Sequence, residues 1–327
     1  MSVTETERPP LPEPEPEHDG PRTDVPELSV HDVTVRFAGL VALDAIGFTV
    51  APGSIHAVIG PNGAGKSTCF NVLSGVYRAD GGSVRLGGHD LTRLPPHRIA
   101  ALGVARTFQN IVLTQGSVAD NLMLGRHVLT RAGFAATALH LPSAVREQRR
   151  HRERAREIAE FMRLGEVFDK PVGLLPYGLR KRVEMARALC MEPKVLLLDE
   201  PVAGMNADER VETAEAIASI RASLGISIVL VEHDMGLVMR LADAVTVLDF
   251  GRRIASGTPA EVQRDPAVIR AYLGTGDEDE DALDPDPDAD PDPVAGPVSV
   301  AGPESDSAPN PQGAHADSAD PERKERP

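Results

Sequence analysis

The most constraining feature of the chain is a glycine-rich stretch, IHAVIGPNGAGKST, at residues 55–68. A short apolar run stops at Gly60, and the loop that follows leads to Lys66 and Ser67 at the predicted start of a helix. This is the pattern G-x-x-x-x-G-K-[ST], in the strand-to-helix context that it requires. The glycines let successive backbone N–H groups converge on phosphate oxygens, and the helix N-terminus adds the positive end of its dipole. The sequence therefore predicts a phosphate-binding loop.

A second pattern is the run VLLLDE at residues 195–200, four aliphatic residues between a lysine and two carboxylates. Such a run is typical of a fully buried parallel strand. Ligands of open α/β sheets bind beyond the carboxyl ends of the strands, so Asp199 and Glu200 are expected beside the phosphate loop. There Asp199 can hold Mg²⁺ together with the Ser67 hydroxyl, Glu200 can polarise an attacking water, and Lys66 can reach the β- and γ-phosphates.

Three further residues each admit more than one interpretation. Phe37, before a predicted strand at 46–50, could stack on a base or belong to the core, and the residues alone favour the core. Gln109 ends a predicted strand at 104–109 and could ligate Mg²⁺, orient a water or bond to a neighbouring loop, of which the last is favoured. His233 follows another apolar run, where it is either structural or a hydrogen-bond donor to a γ-phosphate.

The middle of the chain changes character. Residues 117–170 are predicted to be helical throughout, and 146–156 read REQRRHRERAR. Nucleic-acid binding is one interpretation, but the interleaved glutamates favour an exposed helix with i,i+4 ion pairs. Further on, 175–178 (LPYG) is predicted to be a loop before a helix at 179–191. The cations at 180–182 would then occupy the first turn, where positive charge is unfavourable, which suggests a bound phosphate or an acidic partner.

The two ends of the chain differ in composition from the rest. Residues 1–27 and 275–327 are rich in proline and acidic residues, so they are predicted to be disordered tails. They carry net charges of −6 and −13 out of the total of −15, which leaves +4 on residues 28–274. The predicted folded part is therefore compatible with a nucleotide or an anionic membrane face.

Cysteine usage and hydropathy limit the cellular setting. Cys69 and Cys190 lie in apolar helical stretches without metal-ligand spacing, so they are expected to be reduced core residues of a cytosolic protein. The first residues lack the order of a secretory signal, and no uninterrupted apolar run approaches about 18 residues. Nothing is therefore expected to span a bilayer, and any membrane role is expected to come through a partner.

Taken together, GPNGAGKST, Gln109, LPYG, VLLLDE and His233 resemble the motifs of ATP-binding cassette ATPases in order and approximate spacing. The resemblance covers about residues 28–274. Within that family, LPYG, EPVAGMN, VEHDM and DPAVIRAYLG are similar to the ATPase subunits of branched-chain amino-acid importers. The resemblance implies an α/β P-loop cassette with a mainly parallel RecA-like core sheet, an antiparallel β subdomain and an inserted α-helical subdomain at about 112–180.

The resemblance also implies roles for individual residues. Phe37 would stack on adenine, Gln109 and Asp199 would complete the Mg²⁺ and water shell with Ser67, Glu200 would be the general base and His233 the γ-phosphate contact. The residues implied to bind the phosphates of ATP are Gly60, Pro61, Asn62, Gly63, Ala64, Gly65, Lys66, Ser67 and Thr68.

A further set would act on the nucleotide of a second subunit. The residues implied to cover that nucleotide across a dimer are Leu175, Pro176, Tyr177 and Gly178. The chain departs from most cassettes here, with Pro176 in place of a serine and Leu179 in place of a glutamine, and Asn206 replaces an aspartate in the interface turn. These changes are expected to lower the rate of ATP hydrolysis rather than to abolish it.

The implied function is ATP hydrolysis that drives a separate membrane permease. The implied partners are a second ABC ATPase subunit in a homo- or heterodimer, the permease on the cytoplasmic face of the membrane, and indirectly an extracytoplasmic substrate-binding protein, with no nucleic acid. Other cargo, such as urea or a lipid-linked glycan, and a regulatory cassette without turnover remain alternatives. A soluble cassette acting on ribosomes or DNA is disfavoured, because the chain has one phosphate loop and no heptad run.

Overall fold

The computed structural model describes residues 25–109, 111–130 and 141–273. Nearly all of the two tails predicted to be disordered therefore lies outside the described residues. The strands of the described part are β1 (Leu28–Phe37), β2 (Leu40–Val50), β3 (Ile55–Ile59), β4 (Gly81–Leu86), β5 (His89–Asp90), β6 (Val104–Arg106), β7 (Val195–Asp199), β8 (Ser227–Val231), β9 (Ala244–Asp249) and β10 (Arg252–Gly257).

The central sheet has the strand order β10-β9-β3-β8-β7-β6. Its strands β9, β3, β8, β7 and β6 are parallel, and β10 pairs with β9 in antiparallel fashion. Every residue of β3, β7 and β8 is buried, as expected for strands covered on both faces. Parallel pairing places the carboxyl ends of these three strands at one edge, so the residues after Ile59, Asp199 and Val231 gather there.

A separate antiparallel sheet has the order β2-β1-β4-β5. Its strand β2 begins at Leu40, so the predicted strand at 46–50 was too short. The reason is a two-residue turn in which Ala38 and Gly39 both have positive φ, 44° and 93°. Turns of that kind match the twist of a hairpin, and pairing of Phe37 with Leu40 starts at once.

Helices flank the sheets, and two helix predictions need correction. Residues 117–170 do not form a continuous helix, because the first helix ends at Arg126, Thr130 is extended with ψ 127°, and Arg163, at φ 56°, follows the end of the next helix. The helix after LPYG begins at Tyr177, two residues early, directly after Pro176. The helices are α1 (Lys66–Leu73), α2 (Pro96–Ala101), α3 (Val118–Arg126), α4 (Pro142–Phe161), α5 (Tyr177–Leu189), α6 (Ala207–Leu224), α7 (Met235–Leu241), α8 (Pro259–Gln263) and α9 (Pro266–Leu273).

One hydrophobic core cluster joins the central sheet to the helices inserted after β6. It contains Leu122 of α3, Ile158 of α4 and Met185 of α5 together with Leu196 and Ile228 of the sheet. The predicted helical subdomain, about 112–180, corresponds to α3, α4 and the start of α5. Part of it, 131–140, lies outside the described residues, and its division from the rest of the chain stays a prediction.

The basic run on α4 is a solvated face, as the sequence favoured. Arg154 pairs with Glu157 at 2.7 Å, and Arg152 pairs with Asp169 at 2.9 Å. Arg149 is 82% exposed and lies 3.9 Å from a glutamate one turn further on. The interleaved glutamates Glu153 and Glu157 therefore have basic partners on the same helix.

Both cysteines are buried and free, which confirms the prediction that they are core residues. Burial raises the pKa of Cys69 and of Cys190 to about 12, so both thiols are expected to stay protonated near neutral pH. Within the described ranges, we find no helix whose length and hydropathy together would suit a bilayer crossing.

Candidate functional site

The phosphate loop connects β3 to α1, and its glycines meet different surroundings. A Cβ on Gly60 would lie 2.0 Å from the carbonyl oxygen of Leu248, and one on Gly65 would lie 2.8 Å from that of Ala42. Gly63 has φ 78° and faces open space. Gly60 and Gly65 are therefore required by close backbone contacts. Gly63 is required by its conformation, and it leaves the mouth of the loop open.

The other loop residues divide into an inner and an outer set. Ala64 is buried, and its N–H donates to the carbonyl of Pro61 at 3.2 Å. Asn62 and Ser67 are exposed, and Thr68 is half-buried. The solvent-accessible part of the loop therefore includes Asn62, Gly63 and Ser67.

Lys66 begins α1 and is 8% exposed. Its ammonium donates to the carbonyls of Gly60 at 2.7 Å and Pro61 at 2.8 Å. Burial lowers the pKa of Lys66, while the carboxylates of Glu200 and Asp199 act in the opposite direction. The cation therefore lies within the loop and within electrostatic reach of both acidic side chains at the end of β7.

Asp199 is the last residue of β7, and Glu200 follows it. The two acidic side chains have different partners. Asp199 is 4% exposed, and the guanidinium of Arg106 donates to its Oδ2 at 2.8 Å. Glu200 has φ 44°, and its N–H donates to the carbonyl of Val231 at 2.9 Å. The amide of Gln109 donates to Glu200 Oε2 at 2.8 Å. Asp199 is thus held rigidly, while Glu200 is held by the strand beside it and by Gln109.

The sequence predicted a strand that ends at Gln109, and the structure contradicts this. Strand β6 stops at Arg106, because the N–H of Phe108 donates to the carboxylate of Glu184 at 3.0 Å instead of to β7. Gln109 therefore lies in the loop that follows, and its side chain reaches across to Glu200.

Arg106 is a site residue that the sequence reasoning missed. Besides Asp199, its guanidinium donates to Asn71 Oδ1 at 2.7 Å and to Ser74 Oγ at 2.9 Å, both near the end of α1. It also lies 5.6 Å from the ring centre of Phe70. A buried aspartate needs a counter-charge, so the arginine in VARTFQ was the signal that could have found it.

Phe37 and His233 are the two remaining candidate residues, and both side chains are accessible to solvent. Phe37 is 41% exposed at the end of β1 and makes an edge-on contact with Tyr77, with the ring centres 5.1 Å apart. The interpretation of Phe37 as a core residue was therefore wrong. The His233 side chain is 63% exposed, and the Glu232 carboxylate beside it is fully buried and accepts from the N–H of Val202 at 3.0 Å. The His233 side chain is therefore exposed to solvent, while the residue before it is fixed in the core.

The LPYG segment is partly helical. Leu175 is buried, Pro176 precedes the first residue of α5, and Tyr177 and Gly178 belong to its first turn. A Cβ on Gly178 would lie 2.7 Å from the carboxylate of Glu209 on α6. The glycine therefore permits close packing of α5 and α6 at this end.

The cations that follow do not require a bound anion. Lys181 is 2% exposed and donates to backbone carbonyls, and Arg182 forms an ion pair with Glu212 of α6. Arg180 lies over the ring of Tyr177 at 5.8 Å. The predicted acidic partner is therefore a side chain of the chain itself, Glu212 for Arg182 and Glu184, 3.7 Å away, for Lys181, and a bound phosphate stays a prediction.

Comparison with known proteins agrees with this arrangement. The family described as "ABC transporter" matches residues 43–203, and the one described as "Branched-chain amino acid ATP-binding cassette transporter" matches 252–278. The chain is 40% identical over 250 residues to the high-affinity branched-chain amino acid transport ATP-binding protein BraF of Pseudomonas aeruginosa, covering 76% of this chain and 98% of the relative. The chain belongs to the ATP-binding cassette (ABC) transporter family.

Other members of the ABC family are similar over the same share of this chain. LivG of Escherichia coli, another high-affinity branched-chain amino acid transport ATP-binding protein, shares 40% identity over 76% of this chain and 98% of its own. A crystal structure of the ADP conformation of an ATP-binding cassette superposes with a TM-score of 0.67 at 31% identity, over 76% of this chain and 99% of that one. A nucleotide-free cassette gives a TM-score of 0.66 at 30% identity, over 76% and 98%.

Membership of the ABC family confirms the predicted P-loop fold and the main activity. The protein binds ATP and hydrolyses it, and the hydrolysis is coupled to transport. The assignment of individual residues to steps of this reaction follows as a proposal.

Proposed function

We propose that this ABC ATPase powers the import of branched-chain amino acids through a separate permease. The observation that carries the site assignment is the convergence of Lys66, Asp199, Glu200 and Gln109 at one edge of the central sheet. The cargo is supported by the names of the BraF and LivG relatives and by the match at 252–278. No residue of the ATPase is expected to touch the cargo.

ATP binds at the phosphate loop. The triphosphate enters the opening beside Gly63, where backbone N–H groups of 60–68 and the N-terminus of α1 meet it. The ammonium of Lys66 exchanges its contacts with loop carbonyls for the β- and γ-phosphates. Phe37 stacks on the adenine, with Tyr77 supporting the ring from its edge.

The site also suits Mg²⁺. A hydroxyl from Ser67, the amide oxygen of Gln109 and the carboxylate of Asp199 are oxygen donors of the kind that this ion prefers. These three residues would hold the ion, and the chemistry that it would supply is neutralisation of the charge that develops on the phosphate oxygens. Among the described residues no cluster of three or more His, Cys, Asp or Glu side chains forms a metal cage, which fits an ion held largely by the nucleotide.

The chemical step is an in-line attack of water on the γ-phosphoryl group. Glu200 accepts a proton from that water, and Gln109 holds the carboxylate in place through its amide. His233 donates a hydrogen bond to the γ-phosphate from its exposed position, and Lys66 stabilises the charge on the phosphoryl oxygens. Catalysis therefore depends on positioning and electrostatic stabilisation.

A second ABC ATPase subunit completes the site. The first turn of α5 offers the unsatisfied N–H groups of Tyr177 and Gly178 to the nucleotide of that subunit, with Leu175 anchoring the segment in the core. Pro176 cannot supply the hydroxyl that most cassettes have at this position. The contact to the second subunit's nucleotide is therefore made by backbone N–H groups alone. The second subunit is either another copy of this chain or a different cassette.

The proposal for the assembly follows from the activity. The ATPase associates with permease subunits at the cytoplasmic face of the membrane and, through them, with an extracytoplasmic substrate-binding protein. Reconstitution with the permease in proteoliposomes tests the cargo. ATP-dependent uptake of leucine, isoleucine and valine is expected, and uptake of urea alone would refute the assignment.

Glu200→Gln tests the catalytic assignment. We expect kcat to fall by about a hundredfold or more, because the amide cannot accept the proton, while the Kd for ATP stays within about twofold. The control is Glu215→Gln on the exposed face of α6, which is expected to leave both constants unchanged. Turnover at the wild-type rate in Glu200→Gln would show that another group is the base.

A further inference from the structure

Helix α5 carries two buried charges that contact the loop after β6. The ammonium of Lys181 donates to the carbonyls of Phe108 at 3.1 Å and Gln109 at 2.7 Å. One turn further along, the carboxylate of Glu184 accepts from the N–H of Phe108 at 3.0 Å. The two side chains therefore hold the donor and the acceptor of Phe108 and the acceptor of Gln109.

A third charged residue continues this row. Arg187 donates to the carbonyl of Val112 at 2.6 Å and lies 4.0 Å from Glu184. The side chains of Lys181 and Glu184 are 3% and 1% exposed and lie 3.7 Å apart, and that of Arg187 is 19% exposed. Positions 181, 184 and 187 are three residues apart, so they share one helix face. We name these three residues the charged row of α5.

Burying the charged row costs desolvation free energy, so stability alone does not explain why these positions are charged. Burial raises the pKa of Glu184 and lowers that of Arg187, which is the direction expected when charged groups are taken out of water. Apolar side chains of similar size commonly stabilise such a position as well or better. What they cannot do is fix a backbone N–H and two carbonyls at defined positions.

The held backbone leads directly to the reacting groups. The side chain of Gln109, whose carbonyl Lys181 holds, donates to Glu200 at 2.8 Å. At the other end of the same helix, Tyr177 and Gly178 form the first turn. Helix α5 therefore contacts the second subunit's nucleotide through its start, in the function proposed above, and the Gln109 loop through the charged row.

We propose that Lys181 and Glu184, assisted by Arg187, are positioning residues that keep Gln109 on Glu200 and couple that contact to the start of α5. None of the three touches the nucleotide of its own subunit. Their removal is expected to reduce the rate of the chemical step without weakening ATP binding. The inference rests on the roles proposed for Gln109 and Glu200.

Hydrogen exchange tests the contact without any turnover. Lys181→Met in the purified full chain keeps side-chain length but loses the ammonium, so exchange of the Phe108 amide and its neighbours is expected to become faster. The matched control is Arg182→Met, a cation one residue along that pairs with Glu212 of α6. Unchanged exchange around Phe108 in Lys181→Met would overturn the inference.

A double-mutant cycle on kcat tests the consequence. We expect Lys181→Met to lower kcat about tenfold with the Kd for ATP within about twofold of wild type, as for an interaction made in the transition state only. In a Gln109→Ala background the same substitution is expected to have no further effect on kcat, although its effect on the thermal midpoint persists. Equal loss of kcat in both backgrounds would mean that Lys181 acts by stability alone.

Two outcomes separate the inference from the proposed function. If Lys181→Met does not fold, Arg187→Met, whose side chain is less buried, replaces it and is expected to accelerate exchange near Val112 and lower kcat in the same direction. If Gln109→Ala itself leaves kcat unchanged, the proposed role of Gln109 is wrong, and the inference falls with it even where exchange is faster. Slower turnover in Gln109→Ala with additive loss overturns the inference only.

Discussion

His56 makes the stability of this ABC ATPase depend on pH. It lies on β3, is 2% exposed, stacks on Phe48 with the ring centres 4.9 Å apart, and shares a hydrogen bond of 3.0 Å with Thr246. Burial lowers the pKa of His56 from 6.5 to about 4. The folded protein therefore keeps this imidazole neutral at pH values where the unfolded chain protonates it.

The direction and size of the effect follow from proton linkage. Between pH 6.5 and 4 the unfolded chain binds one more proton at His56 than the folded chain, so stability from this residue is complete above pH 6.5 and is lost as the pH falls. Each unit between the two pKa values is worth about 1.4 kcal/mol, which gives about 3 kcal/mol in total at pH 4.

Urea unfolding followed by circular dichroism at pH 7.5, 6.0 and 5.0 measures this effect. His56→Gln removes the titration and keeps a polar group for Thr246, so its free energy of unfolding is expected to fall less steeply with pH than that of wild type, by about 2 kcal/mol between pH 7.5 and 5.0. His97→Gln, an exposed histidine on α2, is the control. Parallel pH profiles for wild type and His56→Gln would refute the reasoning.

Three other predictions concern the site and the tails. Lys66→Ala is expected to weaken ATP binding about a hundredfold in isothermal titration, because a charge-assisted contact to phosphate is lost, and unchanged affinity would contradict its role. Arg106→Met is expected to lower the free energy of unfolding by about 3 kcal/mol, since it leaves a buried carboxylate unpaired, and Asp199→Asn in addition is expected to restore part of this loss. Deletion of 275–327 is expected to leave ATP hydrolysis intact in the purified chain, and loss of turnover would assign that segment a part in the reaction.

The sequence predicts one part of the site well because parallel strands impose it. A glycine loop after one buried strand and two carboxylates after another must meet at the same sheet edge, so Lys66, Asp199 and Glu200 could be brought together without coordinates. The same reasoning placed His233 at that edge. These positions depend only on the strands being buried and parallel, which their apolar runs indicate.

The charged row and Arg106 depend on contacts that no local pattern encodes. Charged residues are usually exposed, so no local pattern marks Lys181 and Glu184 as buried, and their burial comes from the approach of the loop after β6. Arg106 lay within the predicted strand at 104–109, and its aspartate partner comes 93 residues later. For Phe37 the error was the opposite, because a residue that was expected to be buried is exposed. An aromatic residue at a strand end gives no sign of whether its side chain is covered.

The backbone at Glu200 has an evolutionary consequence. Its φ of 44° is a conformation that glycine and asparagine adopt readily and that costs a glutamate about 1 kcal/mol. For folding alone glycine or asparagine would suit this position better, and the proposed role of Glu200 as the base gives a reason for a glutamate here. In lineages of this fold that lose hydrolysis, the position is expected to drift towards glycine or asparagine, and its residue becomes a record of whether the ancestor was still an ATPase.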